Sequence, residues 1–285
     1  MNAIYKSATA AEQVQQRYRE RLASWPVPSD RVRIPTDAGE TFVVVSGPPD
    51  APPLVLLHGA GANTSTWLGD IATWARSFRT YAVDLVGEPG LSAPTRPRLD
   101  TDGPARWLDQ VLGGLGITTC AIVGMSLGGW SALDYAIRRP GRVTRLVLLC
   151  PGGIGRPTPL RILPAMATLP FGGWGRRRAV AQVTGLTGPE AAPVLDDVAH
   201  TFGAFRPRTE KLPVFPDDAL GTVTAPVLVV VGARDVMFDP GETADRARRC
   251  FPDADVHVLA DAGHAILGQT DRILTFLSHS HTDTR

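Results

Sequence analysis

The sequence predicts an α/β fold in which helices cover both faces of a mostly parallel sheet and a helical segment is inserted into the chain. Three observations support this prediction. Short apolar runs alternate with helix-length amphipathic stretches, as expected for parallel strands joined by crossover helices. Glycine, proline and polar residues bound the apolar runs. Between residues 151 and 216 these runs disappear, and glycine, proline, arginine and aromatic residues dominate.

The composition is that of an ordinary globular protein. Of 285 residues, 44% are hydrophobic and 20% are charged, and the formal net charge is +1. This charge gives no electrostatic reason to expect a nucleic-acid partner or an anionic membrane surface. The sequence contains no apolar stretch long enough to span a bilayer and no apolar signal segment near Met1, which favours a cytoplasmic protein.

The three cysteines are far apart and form no C-x-x-C pair. Cys120, Cys150 and Cys250 are therefore expected to be thiols of a reducing compartment, with neither a disulfide framework nor a metal site. Cys150 follows an apolar run, and we favour the packed end of a strand over the alternative of a position near the active site.

Residues 1–29 predict a helical extension ahead of the sheet. A polar stretch from Ala8 to Ala23 carries apolar residues at helical spacing. The apolar segments 31–34 and 41–46 flank a turn and predict a β-hairpin. Residues 47–53 are rich in proline, and we expect them to lie outside the central strands.

The remaining chain predicts alternating strands and helices. Strands are expected at residues 54–57, 79–83, 120–123, 143–149, 225–231 and 254–259. Helices are expected at residues 65–75, 101–115, 126–136, 239–250 and 271–277. We assign residues 30–150 and 217–285 to the core and 151–216 to a helical lid, a location that commonly carries substrate selection. The run Arg176-Arg177-Arg178 within this lid is interpreted as a solvated helix face.

A G-x-S-x-G motif joins one predicted strand to the next helix. In Gly124-Met125-Ser126-Leu127-Gly128, the two glycines remove side chains that would clash at a sharp turn. Ser126 is then expected in a strained conformation that costs about 1–3 kcal/mol and exposes its hydroxyl. The Leu127 amide would lie at a helix N-terminus, where negative charge is stabilised. The motif therefore predicts a nucleophile and half of an oxyanion hole.

A second glycine-rich loop, His58-Gly59-Ala60-Gly61, follows the strand at 54–57. Gly59 and Gly61 begin a dinucleotide fingerprint, but Thr64 stands where the third glycine belongs, so we do not favour nucleotide binding. Small residues instead allow the backbone to approach a substrate closely. We predict that the Ala60 amide is the second oxyanion donor and that His58 orients the loop.

A serine nucleophile needs a base, and the base needs a carboxylate to orient it. His264 lies in a small-residue turn after the last strand and is the predicted base; Asp235 ends a strand and is the predicted acid. Among rival acids, Asp239 fits a helix N-cap, Asp261 would need a tight bend, and Asp84 precedes the serine. The other histidines lie within a strand, the lid, the glycine loop or the polar tail: His257, His200, His58, His279 and His281.

Four motifs in this order resemble the α/β-hydrolase superfamily: His58-Gly59, the serine motif, Gly232-Ala-Arg-Asp235 and Ala262-Gly263-His264. The segment from Tyr81 to Ser92 is similar to bacterial carboxylesterases of the naproxen-esterase type, although many relatives carry histidine where Glu88 stands. Over residues 30–278 the resemblance implies an eight-stranded, mostly parallel sheet and hydrolysis of an acyl bond without a cofactor.

We therefore predict a serine carboxylesterase that acts on small or medium-sized esters through an acyl-enzyme, as a monomer or homodimer. Serine at position 126 argues against dehalogenase or epoxide hydrolase chemistry. The motifs leave open a thioesterase, a lactonase, a C–C bond hydrolase, and a ligand sensor or non-hydrolytic biosynthetic catalyst that keeps the triad. Predicted substrate contacts are Met125, Phe171, Trp174, Phe202 and Phe205.

Overall fold

The computed structural model describes residues 4–188 and 191–279. The first three residues of the predicted N-terminal extension, residues 189 and 190 of the predicted lid, and residues 280–285 of the predicted core, including His281, lie outside the described residues. Among the residues that the structure does describe, no helix combines the length and the apolar character that crossing a bilayer requires.

The described residues form eight strands and ten α-helices. The strands are β1 (Ser29–Ile34), β2 (Thr41–Ser46), β3 (Pro53–Leu57), β4 (Arg79–Val83), β5 (Cys120–Met125), β6 (Val143–Leu149), β7 (Val227–Gly232) and β8 (Asp255–Leu259). The helices are α1 (Ala8–Ala23), α2 (Ile71–Trp74), α3 (Gly103–Gly114), α4 (Leu127–Arg138), α5 (Pro159–Met166), α6 (Gly172–Thr184), α7 (Ala192–Ala204), α8 (Asp217–Leu220), α9 (Pro240–Cys250) and α10 (Thr270–Ser278). Short 3₁₀ helices cover Thr64–Trp67 and Leu169–Phe171.

All eight strands belong to one sheet in the order β1-β2-β4-β3-β5-β6-β7-β8. The β1–β2 and β2–β4 pairs are antiparallel, and the other five pairs are parallel. Strand β2 therefore runs against the rest, and the predicted mostly parallel sheet is confirmed. The carboxyl ends of β3, β5, β7 and β8 lie along one edge, where reactive groups gather in parallel sheets.

The sheet is buried on both faces. Alternate residues of β3 divide between two apolar clusters: Val55 and Leu57 pack on one face, and Leu54 and Leu56 pack on the other. These four side chains are 0% exposed, which explains why the central strands have continuous apolar sequences. A continuous apolar run does not indicate which residue lies on which face, whereas in the structure successive side chains of the strand point to opposite faces.

Two predicted elements are wrong in detail. The single helix expected at 65–75 is divided into the 3₁₀ helix Thr64–Trp67 and α2, with Gly69 between them. Glycine weakens a helix interior, and the rings of Trp67 and Trp74, on either side of the break, pack with centroids 5.9 Å apart. Pro53, expected in a loop, begins the central strand β3, a position where proline is tolerated.

The predicted lid segment contains helices α5, α6 and α7. Its ends join the core, since Ile154 belongs to one core cluster and Phe215 packs against it. Helix α1 buries Tyr18 and Leu22 in the second cluster, and its Arg21 is 3.0 Å from Asp197 of α7. The N-terminal helix therefore contacts both the sheet and the inserted helices.

Candidate active site

The turn between β5 and α4 holds Ser126 at φ 52° and ψ −109°, a conformation that L-residues rarely adopt. A Cβ at Gly124 would lie 2.4 Å from the Gly128 oxygen, and one at Gly128 would lie 2.1 Å from the Leu57 oxygen. Both glycines are therefore required by close backbone contact. The predicted strain at Ser126 is present, and the helix begins at the following residue, Leu127.

Three side chains from distant parts of the chain form one hydrogen-bonded line. Nε2 of His264 lies 2.9 Å from Oγ of Ser126, and Nδ1 of His264 lies 2.8 Å from Oδ2 of Asp235. The Asp235 carboxylate is 3% exposed and also accepts a hydrogen bond from the Met237 amide at 2.6 Å. This arrangement can move the serine proton onto the imidazole while the carboxylate fixes the ring tautomer.

The rival acids have other partners. Asp239 caps α9 by accepting the Glu242 amide at 3.0 Å. Asp261 pairs with Arg234 at 2.5 Å, and its side chain is 87% exposed. Asp84 is fully buried beneath the glycine loop, where it accepts hydrogen bonds from Thr64 and Tyr18. Asp239 therefore caps a helix, Asp261 forms a surface ion pair, and Asp84 supports the glycine loop.

The glycine loop lies beside Ser126, because a Cβ at Gly59 would be 3.5 Å from the Ser126 Cβ. Nδ1 of His58 lies 2.8 Å from the Gly59 oxygen, and Nε2 accepts the Leu85 amide at 3.0 Å. Complete burial lowers the pKa of His58, so its neutral ring donates through Nδ1. Holding the Gly59 carbonyl also orients the adjoining Ala60 N–H, since both belong to one peptide plane.

Glu88 contacts the glycine loop, and the sequence motifs assign it no role. Its Oε2 accepts the Gly61 amide at 2.7 Å, and its side chain is buried, with 1% exposure of the residue. Burial raises the pKa of Glu88 to about 7, against the lowering effects of the Gly61 hydrogen bond and of the Arg96 and Arg208 guanidinium groups. The available signal was a carboxylate in a glycine-rich loop that follows a buried strand.

Cys150 lies at the end of a strand and also beside Asp235 and His264. It is buried after β6 at φ 42°, and its thiol, Asp235 and His264 have atoms within 4.8 Å of one another. Such a set could hold a metal ion, but two of its members already bond to each other. Burial raises the pKa of Cys150, so the thiol stays protonated.

The inserted helices contact three loops of the site. Thr158, before α5, donates its amide to the Met237 oxygen beside the acid loop at 2.9 Å. The Thr184 oxygen, at the end of α6, accepts the Ala265 amide next to His264 at 2.9 Å. The Phe202 ring of α7 lies against Gly61, where an added Cβ would be 2.6 Å from the ring.

The predicted substrate contacts occupy different environments. Met125 ends β5 and is partly buried, and Phe202 lies on the glycine loop. Phe171 and Trp174 are each 67% exposed and pack edge to face. The prediction for Phe205 is wrong, because its ring is 0% exposed and packs beneath the N-terminal segment, leaving no face for a substrate. The other four assignments stay predictions.

The chain is similar to carboxylesterases of Bacillus subtilis. Carboxylesterase YbfK is 30% identical over 277 residues, which cover 92% of each chain. The uncharacterized carboxylesterase nap is 32% identical over 260 residues, which cover 88% of this chain and 86% of the relative.

Two solved B. subtilis structures share the architecture. Carboxylesterase CesB (YbfK) matches 95% of this chain and 99% of its own with a TM-score of 0.84 and 28% identity. Naproxen esterase matches 95% and 98% of the two chains with a TM-score of 0.80 and 29% identity. The model of the alpha/beta hydrolase family matches residues 54–275, a span that includes every strand from β4 to β8 and all three members of the hydrogen-bonded line. The chain therefore belongs to the alpha/beta hydrolase family.

Proposed function

We propose that this protein is a carboxylic ester hydrolase that cleaves small or medium-sized esters through an acyl-enzyme. The observation that carries the proposal is the hydrogen-bonded line from Ser126 through His264 to Asp235, with contacts of 2.9 and 2.8 Å. Carboxylesterase relatives of about 30% identity over most of the chain support the same reaction.

In the proposed mechanism, His264 takes the proton of Ser126 as the serine oxygen attacks the ester carbonyl. The amides of Ala60 and Leu127 stabilise the oxyanion, one from the glycine loop and one from the start of α4. Asp235 stabilises the imidazolium that forms. His264 then protonates the leaving alcohol, and a water molecule, activated by the same imidazole, hydrolyses the acyl-enzyme and releases the acid.

We further propose that residues 151–216 act as a lid. Their helices contact the acid loop, the base turn and the glycine loop, so a change in lid position would reach every part of the site. A lid in this position would select acyl and alcohol groups by shape and polarity. We also propose a cytoplasmic location, consistent with the free thiols of Cys120, Cys150 and Cys250, and a monomeric or homodimeric state.

The test combines turnover of an activated short-chain aryl ester with labelling by a fluorophosphonate. Ser126→Ala is expected to abolish both, while Ser131→Ala, which removes a hydroxyl bonded to the Leu127 oxygen within the same helix, keeps both. Thermal stability of Ser126→Ala should be equal to or above that of the wild type, because alanine leaves the packing of the turn unchanged. Undiminished labelling of Ser126→Ala would refute the assignment of the nucleophile.

A substrate panel separates ester hydrolysis from related reactions. Aryl esters, acyl thioesters, lactones and a ring-cleavage dienoate should be compared by kcat/KM, and we expect the esters to rank first. A specific observation supports a C–C bond hydrolase as the alternative. The chain is 30% identical over 232 residues to a relative from Paraburkholderia phymatum named 2-hydroxy-6-oxononadienedioate/2-hydroxy-6-oxononatrienedioate hydrolase. Preference for the dienoate would favour that reaction, and a single slow turnover on every substrate would favour a ligand sensor.

A further inference from the structure

Ala60, whose amide is the proposed oxyanion donor, is fixed from both sides. On one side, the His58 ring holds the Gly59 carbonyl, with Nδ1 and oxygen 2.8 Å apart. On the other side, the Glu88 carboxylate accepts the Gly61 amide at 2.7 Å. Gly61 itself has φ +69°, so the loop turns sharply at the point that Glu88 holds.

We propose that Glu88 is a positioning residue for ester hydrolysis, whose ionised carboxylate holds Gly61 and thereby keeps the Ala60 amide directed at the oxyanion. The inference rests on the proposed function and extends it, because it assigns a role to a residue outside the triad and the oxyanion donors. A carboxylate is a stronger acceptor than a carboxylic acid, so the clamp weakens when Glu88 is protonated. Activity should therefore depend on the protonation state of Glu88.

The Glu88 carboxylate uses only part of its hydrogen-bonding capacity on protein groups. Its Oε2 accepts the Gly61 amide, whereas its Oε1 is buried without a hydrogen-bond partner among the described residues. The charged and titratable groups that face it are the Arg96 and Arg208 guanidinium groups, which favour its ionised form, and the buried Tyr5 hydroxyl. Its pKa of about 7 places the change of charge within the range of an ordinary assay.

The test uses Glu88→Gln, which keeps the size of the side chain and an acceptor oxygen but removes the charge. At pH 8 we expect kcat on an activated ester to fall about tenfold with KM within about twofold, below the roughly 10²–10³-fold loss for removing an oxyanion donor outright. Glu88→Ala, which leaves the Gly61 amide unpaired, should lose more. The fluorophosphonate labelling rate should fall in parallel, because that reagent also places an oxygen in the oxyanion hole.

The pH profile provides the readout that a merely structural residue would not move. Wild-type kcat should decrease as the pH falls through about 7, because Glu88 becomes protonated. The part of this decrease that is due to Glu88 should be missing in the pH profile of Glu88→Gln. The matched control is Asp134→Asn on α4: Asp134 is also 1% exposed, has one unpartnered oxygen among the described residues, and lies outside the site. This variant should keep wild-type kcat and the wild-type pH profile.

The outcomes are distinguishable. Wild-type turnover with an unchanged kcat or an unchanged profile in folded Glu88→Gln would overturn the role of Glu88 while leaving ester hydrolysis in place. An equal loss in Asp134→Asn would overturn it as well, since the effect would then follow from removing any buried carboxylate. Failure of the wild type to turn over or label would instead refute the proposed function.

Discussion

Glu88 should make the stability of this protein decrease as the pH rises towards neutrality. The folded chain raises the pKa of Glu88 from 4.5 to about 7, chiefly by burial, whereas the unfolded chain leaves it near 4.5. Between these values the folded state keeps a proton that the unfolded state has released. The free energy of unfolding therefore falls from pH 4.5 to 7, and the full cost is present above pH 7.

The size of the effect follows from the same two values. Raising the pKa from 4.5 to about 7 corresponds to roughly 3 kcal/mol, at 1.36 kcal/mol per pKa unit. Glu88→Gln cannot ionise and is free of this penalty. Relative to the wild type, the variant should therefore gain about 3 kcal/mol between pH 4.5 and pH 8. At pH 4.5 the two proteins should differ only by the exchange of a protonated carboxyl for an amide.

The measurement is urea denaturation of both proteins at several pH values from 4.5 to 8, with the difference in unfolding free energy plotted against pH. Using the difference removes the titration of every group that the two proteins share. Asp217→Asn is the control, since two arginines lower the pKa of Asp217 to about 2, and it is ionised in both states across this range. Its difference from the wild type should be flat. A flat or falling difference for Glu88→Gln would refute the reasoning.

Two further predictions concern the turn and the triad. Gly128→Ala places a Cβ 2.1 Å from the Leu57 oxygen and should destabilise the protein by about 1–3 kcal/mol in urea denaturation while lowering ester turnover. Gly113→Ala, with nothing within 4 Å of the added Cβ on α3, should stabilise it by about 0.5–1 kcal/mol. Asp235→Asn should lower kcat about 10⁴-fold by favouring the wrong tautomer of the base. Asp261→Asn, which changes an exposed surface pair, should retain kcat, and a comparable loss in both variants would contradict the choice of acid.

The strands and the three hydrogen-bonded residues could be predicted from sequence because each leaves a local signature. A buried parallel strand is a short apolar run, and the turn at Ser126 requires small residues wherever backbones touch. Asp235 and His264 lie in the loops that follow β7 and β8, in the chain order that the fold imposes. Apolar runs, small residues at a turn and the order of motifs can all be identified in a single sequence.

The errors arose where distant packing decides the outcome. Phe205 has the same local setting as Phe202, at the end of α7, yet one ring lies on Gly61 and the other is buried beneath the N-terminal segment. Helical periodicity in the lid could not distinguish them, because the partners come from the glycine loop and from residues near Tyr5. The helix expected at 65–75 is divided at Gly69, and the two tryptophans on either side of the break pack against each other.

Glu88 was overlooked because its role depends on a contact across 27 positions of sequence with an amide, and amides carry no sequence signature. The ionised form of Glu88 lowers the free energy of unfolding, by an amount that the pH series measures. The same carboxylate accepts a hydrogen bond from the glycine loop beside Ser126. A glutamine of the same size could accept the Gly61 amide without that penalty. The advantage that we propose for the carboxylate is the strength with which it holds the loop, which serves the reaction and not the fold.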